Sequence, residues 1–422
     1  MAAQAGTTTG GGVTAPRGFY AAGTTCGIKD SGRPDMAMIV SDRPCSAAGV
    51  FTKNRLPGAP VIVCKRHLRD GGARAIVVNS GVANDATGAE GIANAIQTCR
   101  LAAEVIDHVG HGLKLRDILP SSTGVIGPQL PMDKIAHGVT AMAHQLGRSR
   151  RHNRAAAQGI MTTDLVPKQS ARALRLGRRT IYLGGIAKGS GMIAPNMATM
   201  LVFLTTDATI SPALLRQVLR AAVATSFNRI SIDQHTSPSD MALLLANGSC
   251  GGRSIRSGSA DHRRFADALT DLCRDLAYQI VRDGEGATRV IRVRVSGARS
   301  EREADRVGQT VVNSPLVKCA VHGADPNWGR IVTAAANSGV PIQSANLSLQ
   351  IGGFEPDDHQ VMVFDRGTPV EHTRQQLRQL HKLMKQKQVV FAIDLGRGRA
   401  AVEWLGCDLS RQYVAINADY TT

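Results

Sequence analysis

The aliphatic residues of this chain come in short runs, and the longest, such as Met200 to Leu204 and Met241 to Ala246, have the length of a strand. A membrane-spanning helix needs about 20 consecutive apolar residues, so these runs suit a sheet and not a bilayer. Strands are predicted at Met36 to Val40, Ala75 to Asn79, Thr180 to Ala187, Thr199 to Thr205, Met241 to Ala246, Val290 to Val295 and Val389 to Leu395. Helical patterns alternate with them at Glu90 to Val109, Met132 to Leu146, Pro212 to Thr225, Asp261 to Arg282 and Thr368 to Lys387. Ser211 before Pro212 reads as an N-cap followed by proline at the first helical position. The basic stretch Gly147 to Arg154 reads as a surface loop. No internal repeat is visible. An α/β or α+β protein is expected, and 422 residues that are 43% hydrophobic and 20% charged can fill one large core or two ordinary ones.

Several function classes fall away. Residues 1–12 carry no charged side chain and little apolar surface, which predicts a loose tail. A secretory signal would need a basic start and an apolar run, and a soluble cytoplasmic protein without a membrane partner is expected. Eight cysteines without a Cys-x-x-Cys pair suggest neither a zinc ribbon nor a redox dithiol. His108 and His111 have metal-compatible spacing, but no further ligand completes a set, so no metal is expected. The net charge of +17 gathers at Arg148, Arg150, Arg151 and Arg154, at Arg172 to Arg179, and between Arg374 and Lys387. With 4% aromatic content and no nucleic-acid-binding signature, this reads as a solvated basic surface and not as a nucleic-acid partner site.

The segment Lys188 to Leu201, KGSGMIAPNMATML, carries the chemistry. Gly189 to Ala194 matches G-x-G-x-x-A, yet a dinucleotide fingerprint must open a helix, and Pro195 with an aliphatic run follows instead. Thr199 stands at the mouth of that run. If the bond before it breaks, Thr199 acquires an α-amine that can serve its own hydroxyl as general base; such an amine has an ordinary pKa of about 7.7 to 8.0. From the residues alone, a strand-entry threonine is the simpler reading. Likewise Ser121 to Gly124 reads as a polar turn, and Ser237, His235 and Asp240 as loop-shaping residues in preference to a triad.

Ordered blocks along nearly the whole chain change that balance: GVTAPRGFYAAG at 12–23, STGVIG at 122–127, IMTTD at 160–164, SFNRISID at 226–233, LLLANG at 243–248, GEGATR at 284–289, NSPLVK at 313–318, DPNWGRI at 325–331, DLGRG at 394–398 and INADYTT at the end. With the Lys188 segment they resemble the ornithine acetyltransferase family, the glutamate N-acetyltransferases of arginine biosynthesis, whose members cut themselves at an Ala-Thr bond. The resemblance implies cleavage between Ala198 and Thr199, with Thr199 as nucleophile and Thr123 and Gly124 as oxyanion hole. It implies substrate contacts at Thr162, Lys188, Thr199, Glu285, Asn417 and Thr422. The chain departs from the family pattern at Gln234 to Asp240, where GDTSTND is common, and at Val82 and Asp85 within NSGVANDATG.

The activity so implied moves an acetyl group from N-acetylornithine to glutamate by double displacement, without a cofactor. Whether acetyl-CoA is also a donor stays open, and a related self-processing aminopeptidase is the nearest alternative. The implied fold is an α/β layered sandwich in which fragments 1–198 (alpha) and 199–422 (beta) interleave, two copies of each making a heterotetramer. Intact-mass measurement of the purified protein should give copurifying fragments of 198 and 224 residues, roughly 21 and 24 kDa by residue count. N-terminal sequencing should find Thr199. A single uncut but active chain would overturn this expectation.

Overall fold

The computed structural model describes residues 6–106, 112–194, 200–353 and 359–419, which form two compact units. One takes in the chain up to Asn228 together with His235–Ile280; the other takes in Arg229–Gln234 and the chain from Val281 onward.

Nine strands among the described residues build the sheet of the first unit: β1 (Thr7–Thr8), β2 (Phe19–Thr24), β3 (Met36–Phe51), β4 (Gly72–Val82), β5 (Ile118–Val125), β6 (Lys168–Leu176), β7 (Arg179–Lys188), β8 (Leu201–Thr206) and, after β9 (Ile230–Ser231) of the second unit, β10 (Met241–Ala246). Their order is β1-β6-β7-β8-β10-β3-β4-β5, with β2 also paired to β3. The pivot is β3. Its first half pairs with β2 and β4, its second half with β10, and the register slips between Val40 and Cys45. Such a slip bends a strand and increases its twist.

Both faces of this sheet are dry. Ala37, Ile39, Ile76 and Val78 point into one apolar cluster, and their chain neighbours Met36, Met38, Ala75 and Val77 into another. That alternation is the period-2 geometry of a strand covered on both sides. The second cluster is closed by the helices Gly88–Ile106 and Met132–His144, which contribute Ala95, Cys99, Ala102, Ile135 and Val139.

In the second unit seven strands among the described residues run in the order β14-β13-β12-β15-β11-β16-β9, with β11 at Val290–Ala298, β12 at Ser348–Gly352, β13 at Gln360–Asp365, β14 at Thr368–Pro369, β15 at Gln388–Asp394 and β16 at Ala400–Cys407. The helix Glu301–Asn313 brings Ala304, Val307 and Val311 onto a core with Val293, Val295 and Trp404. The α/β layering expected from the alternating runs is therefore present in each unit.

Some expectations need correction. Gly6 to Gly12 is not a loose tail: Thr7 and Thr8 pair with Ala173 and Arg172, because backbone pairing needs no apolar side chain. Arg150–Gly159 is a helix and not a loop, its small side chains Ala156 and Ala157 buried while its arginines face water. The helix expected from Thr368 begins only at Arg374, after β14, where Thr373 and Gln376 form a capping box. The Pro212–Ala224 helix is capped as expected, Leu214 N–H donating to Ser211 Oγ at 3.4 Å. His108 and His111 lie outside the described residues. Among the described residues no helix is long and apolar enough to cross a membrane.

Gly308 sets the closeness of the Glu301–Asn313 helix to β16, since a Cβ there would stand 2.4 Å from Trp404 Cδ1. Overpacking of this kind costs about 1–3 kcal/mol. Gly308→Ala should lower the urea midpoint correspondingly; an unchanged midpoint would mean that the helix can retreat freely.

Candidate active site

Lys188, the last residue of β7, pairs in register with Leu201 of β8, two residues beyond Thr199. It is almost fully buried, and its Nζ donates to Thr123 Oγ1 at 3.3 Å. Four strands separate β5 from β7 in the sheet order, so this contact joins two distant parts of one sheet. Thr123 and Gly124 belong to β5 and not to a turn, and Thr123 is buried. Gly124 has φ +132°, and a Cβ on it would fall 2.2 Å from the Gly81 carbonyl carbon. Only glycine fits there. Because the ammonium fills a lone pair of Thr123 Oγ1, the hydroxyl hydrogen remains to donate elsewhere.

Behind Lys188 stands Asp164, a carboxylate without solvent access. Its Oδ1 accepts from Lys168 Nζ at 2.6 Å and from Gly189 N–H at 2.8 Å, and its Oδ2 from Thr162 N–H at 3.0 Å. Burial would raise this carboxyl, but the charges of Lys168 and Lys188 and the Gly189 N–H overcome it and hold the group well below the usual carboxylate range. One carboxylate against two ammonium groups leaves a net positive charge beside Thr123. Such a site favours a developing oxyanion or a ligand carboxylate.

Asp240 precedes β10 and accepts the Met200 N–H on Oδ1 at 2.8 Å. Ser237 Oγ accepts the Ser239 N–H at 3.1 Å, and Thr52 Oγ1 donates to the Ser237 carbonyl at 2.7 Å. Ser237 and Asp240 thus shape the loop, as expected. Two departures from the family pattern meet here: Ser239 Oγ donates to Asp85 Oδ2 at 2.6 Å. Burial pushes the Asp85 carboxyl from 3.8 to about 6, offset in part by that hydrogen bond.

In the second unit Glu285 is buried, and its Oε2 accepts from Asn417 Nδ2 at 2.9 Å; Asn417 lies on the helix Arg411–Asp419. The expected substrate ligands are thus gathered as Thr162 with Lys188 in one unit and Glu285 with Asn417 in the other. Ala198, Thr199 and Thr422 lie outside the described residues. Asp164 was not among the residues expected from sequence, and its i, i+4 pairing with Lys168 was the available signal; Asp240 was expected only as a loop-shaping residue. Among the described residues no group of three or more His, Cys, Asp or Glu side chains is arranged to hold a metal.

A sequence model of the ArgJ family matches residues 20–422. The arginine biosynthesis bifunctional protein ArgJ of Symbiobacterium thermophilum is 44% identical over 414 residues, covering 98% of this chain and 99% of that protein. Arginine biosynthesis bifunctional protein ArgJ 1 of Nostoc sp. is 43% identical over 414 residues, 98% of each. Among solved structures, a chain of ornithine acetyltransferase from Mycobacterium tuberculosis, complexed with ornithine, is 41% identical; the match covers 46% of this chain and 96% of that one, with a TM-score of 0.42.

The raised Asp85 carboxyl has a consequence for stability. A carboxyl with a higher pKa in the folded state binds more protons there, so its stabilising contribution is complete below about 4 and is lost as pH rises through about 6. Asp85→Asn, which keeps an acceptor for Ser239, should match the parent near pH 4 and exceed it above pH 6 by up to roughly 3 kcal/mol. Denaturant melts from pH 4 to 8 would show this, and a pH-independent difference between the two proteins would refute it.

Proposed function

The chain belongs to the ArgJ family, and on that premise we propose that it is a self-cleaving acetyltransferase of arginine biosynthesis that carries acetyl from N-acetylornithine to glutamate on Thr199. The observation that supports this best is the buried contact of Lys188 Nζ with Thr123 Oγ1, Lys188 being paired with Leu201, two residues after Thr199 in sequence. It supplies a charge-backed hydroxyl donor where acyl transfer needs one.

In the first half-reaction Thr199 Oγ adds to the acetyl carbonyl while the Thr199 α-amine takes its proton. Thr123 and Gly124 hold the oxyanion. The amine returns the proton to the departing ornithine nitrogen, the C–N bond breaks, and the acetyl ester remains on Thr199. Glutamate's amine then attacks the ester and regenerates the threonine. Donor and acceptor are both amides of amino acids, so the exchange needs no cofactor. The same threonine and oxyanion hole serve the earlier cut between Ala198 and Thr199, which passes through the same kind of tetrahedral intermediate.

Substrate contacts are assigned to Thr162 and Lys188, and to Glu285, Asn417 and Thr422; a lysine suits a carboxylate and a glutamate an ammonium. The relatives are described as bifunctional, which accords with acetyl-CoA as a second donor to the same threonine. The assembly of two alpha (1–198) and two beta (199–422) fragments and a cytoplasmic location belong to the same reading. In support of interleaved fragments, β7 and β8 pair directly although they lie on either side of the cut.

Brief exposure to N-acetylornithine without glutamate should add one acetyl group to the 224-residue fragment, on Thr199, and glutamate should discharge it. Thr123→Ala should reduce turnover by about 10²–10³ with a smaller change in substrate affinity. A label on Ser237 or a cysteine would overturn the assigned nucleophile, and release of acetate to water unaffected by glutamate would make the enzyme a hydrolase.

A further inference from the structure

Once the bond before Thr199 is cut, Thr199 is tethered to the protein only through its own carbonyl, by the peptide bond to Met200. Whatever holds the Met200 amide therefore holds the nucleophile. The structure shows what does so. Met200 N–H donates to Asp240 Oδ1 at 2.8 Å, and the Met200 carbonyl accepts from Met241 N–H at 3.2 Å, so the start of β10 grips both polar groups of this residue. Asp240 is in turn fixed by its backbone, its carbonyl accepting from Thr52 N–H at 3.0 Å.

We propose that Asp240 is a positioning residue for Thr199, acting through the Met200 amide in both self-cleavage and acetyl transfer. The proposal rests on the reading of Thr199 as nucleophile. Asp240 has no solvent access, and among the described residues its Oδ2 has no hydrogen-bond partner. A buried carboxylate with one oxygen unsatisfied is costly, whereas a neutral acid in the same place costs much less. Burial accordingly pushes this carboxyl well above its ordinary range; the Met200 N–H, the charge of Lys188 and the Ser237 backbone offset only part of that, and the nearby Asp85 adds to it. Asp240 therefore works as a neutral acceptor: it orients the amide without placing a negative charge beside the oxyanion site. A carboxylate there would oppose the charge that develops during both reactions.

Asparagine reproduces a neutral acid's shape and its acceptor, and leucine reproduces the shape without the acceptor. Asp240→Asn should cut itself into the 198- and 224-residue fragments and turn over within about threefold of the parent. Asp240→Leu or Asp240→Ala should be cut at least about tenfold more slowly, and in the cut fraction kcat should fall by about tenfold or more with KM for N-acetylornithine within about twofold, as expected for a misplaced nucleophile. Hydrogen exchange at the Met200 amide reads the grip directly: it should stay protected in Asp240→Asn and lose protection in whichever acceptor-free variant folds. An Asn variant that melts like the parent but loses tenfold or more in kcat would overturn the neutral form. Unchanged cutting and kcat in a folded Leu or Ala variant would overturn the positioning role. Parent protein that forms no acetyl-Thr199 in the same assay would instead overturn the nucleophile, whatever the Met200 exchange shows.

Discussion

The carboxylate of Asp164 organises the site of the first unit. A charge with no access to water is tolerated only when it is paired and its lone pairs are filled, and here Lys168 Nζ, Gly189 N–H and Thr162 N–H fill them. Each of these bonds ties down a different piece of chain: β6 through Lys168, the loop after β7 through Gly189, and the turn after the Arg150–Gly159 helix through Thr162. The charge also lets a second lysine, Lys188, stay buried close by, since two ammonium groups share its field. Remove the carboxylate, and two buried ammonium groups would lose the anion whose field they share.

From that anchor the rest of the arrangement follows by pairing. Lys188 closes β7 and reaches Thr123 at the far side of the sheet order. β8 lies between β7 and β10, so the residue after Thr199 has Lys188's strand on one side and Asp240 on the other. These two neighbours have different surroundings: the charges of Lys188 and Lys168 hold the Asp164 carboxyl low, whereas burial pushes the Asp240 carboxyl well above its ordinary range. An oxyanion forming near Thr123 would then meet the Lys188 ammonium, with the Asp164 carboxylate offset by Lys168. The pair Asp85 and Ser239 adds a feature of this chain's own, because both positions depart from the family pattern and each side chain supplies what the other needs.

Much of this was legible in the residues. The strand runs Met36 to Val40, Ala75 to Asn79, Thr180 to Ala187 and Met241 to Ala246 all lie within observed strands, since uninterrupted aliphatic runs have no other use in a chain of this composition. Ser211 and Pro212 marked a helix start by local chemistry that does not depend on the fold. Arg150–Gly159 was not legible, because its apolar face is made of alanines whose burial depends on what lies beneath them. Nor was Thr7–Thr8, whose pairing uses only backbone groups.

The sequence by itself determined most of the strands and helices with strong apolar patterns, the Lys188 to Leu201 segment as the place where chemistry concentrates, and the family, because these are carried by local pattern and by ordered blocks of residues. Only the tertiary structure decided which of those blocks meet. Thr123 and Lys188 have four strands between them in the sheet order yet lie within hydrogen-bond reach of each other, a meeting that no local pattern encodes. The acidity of the buried carboxyls was decided there too. Asp164 and Asp240 are the same residue type, and their partners and burial push one below the usual carboxylate range and the other well above it.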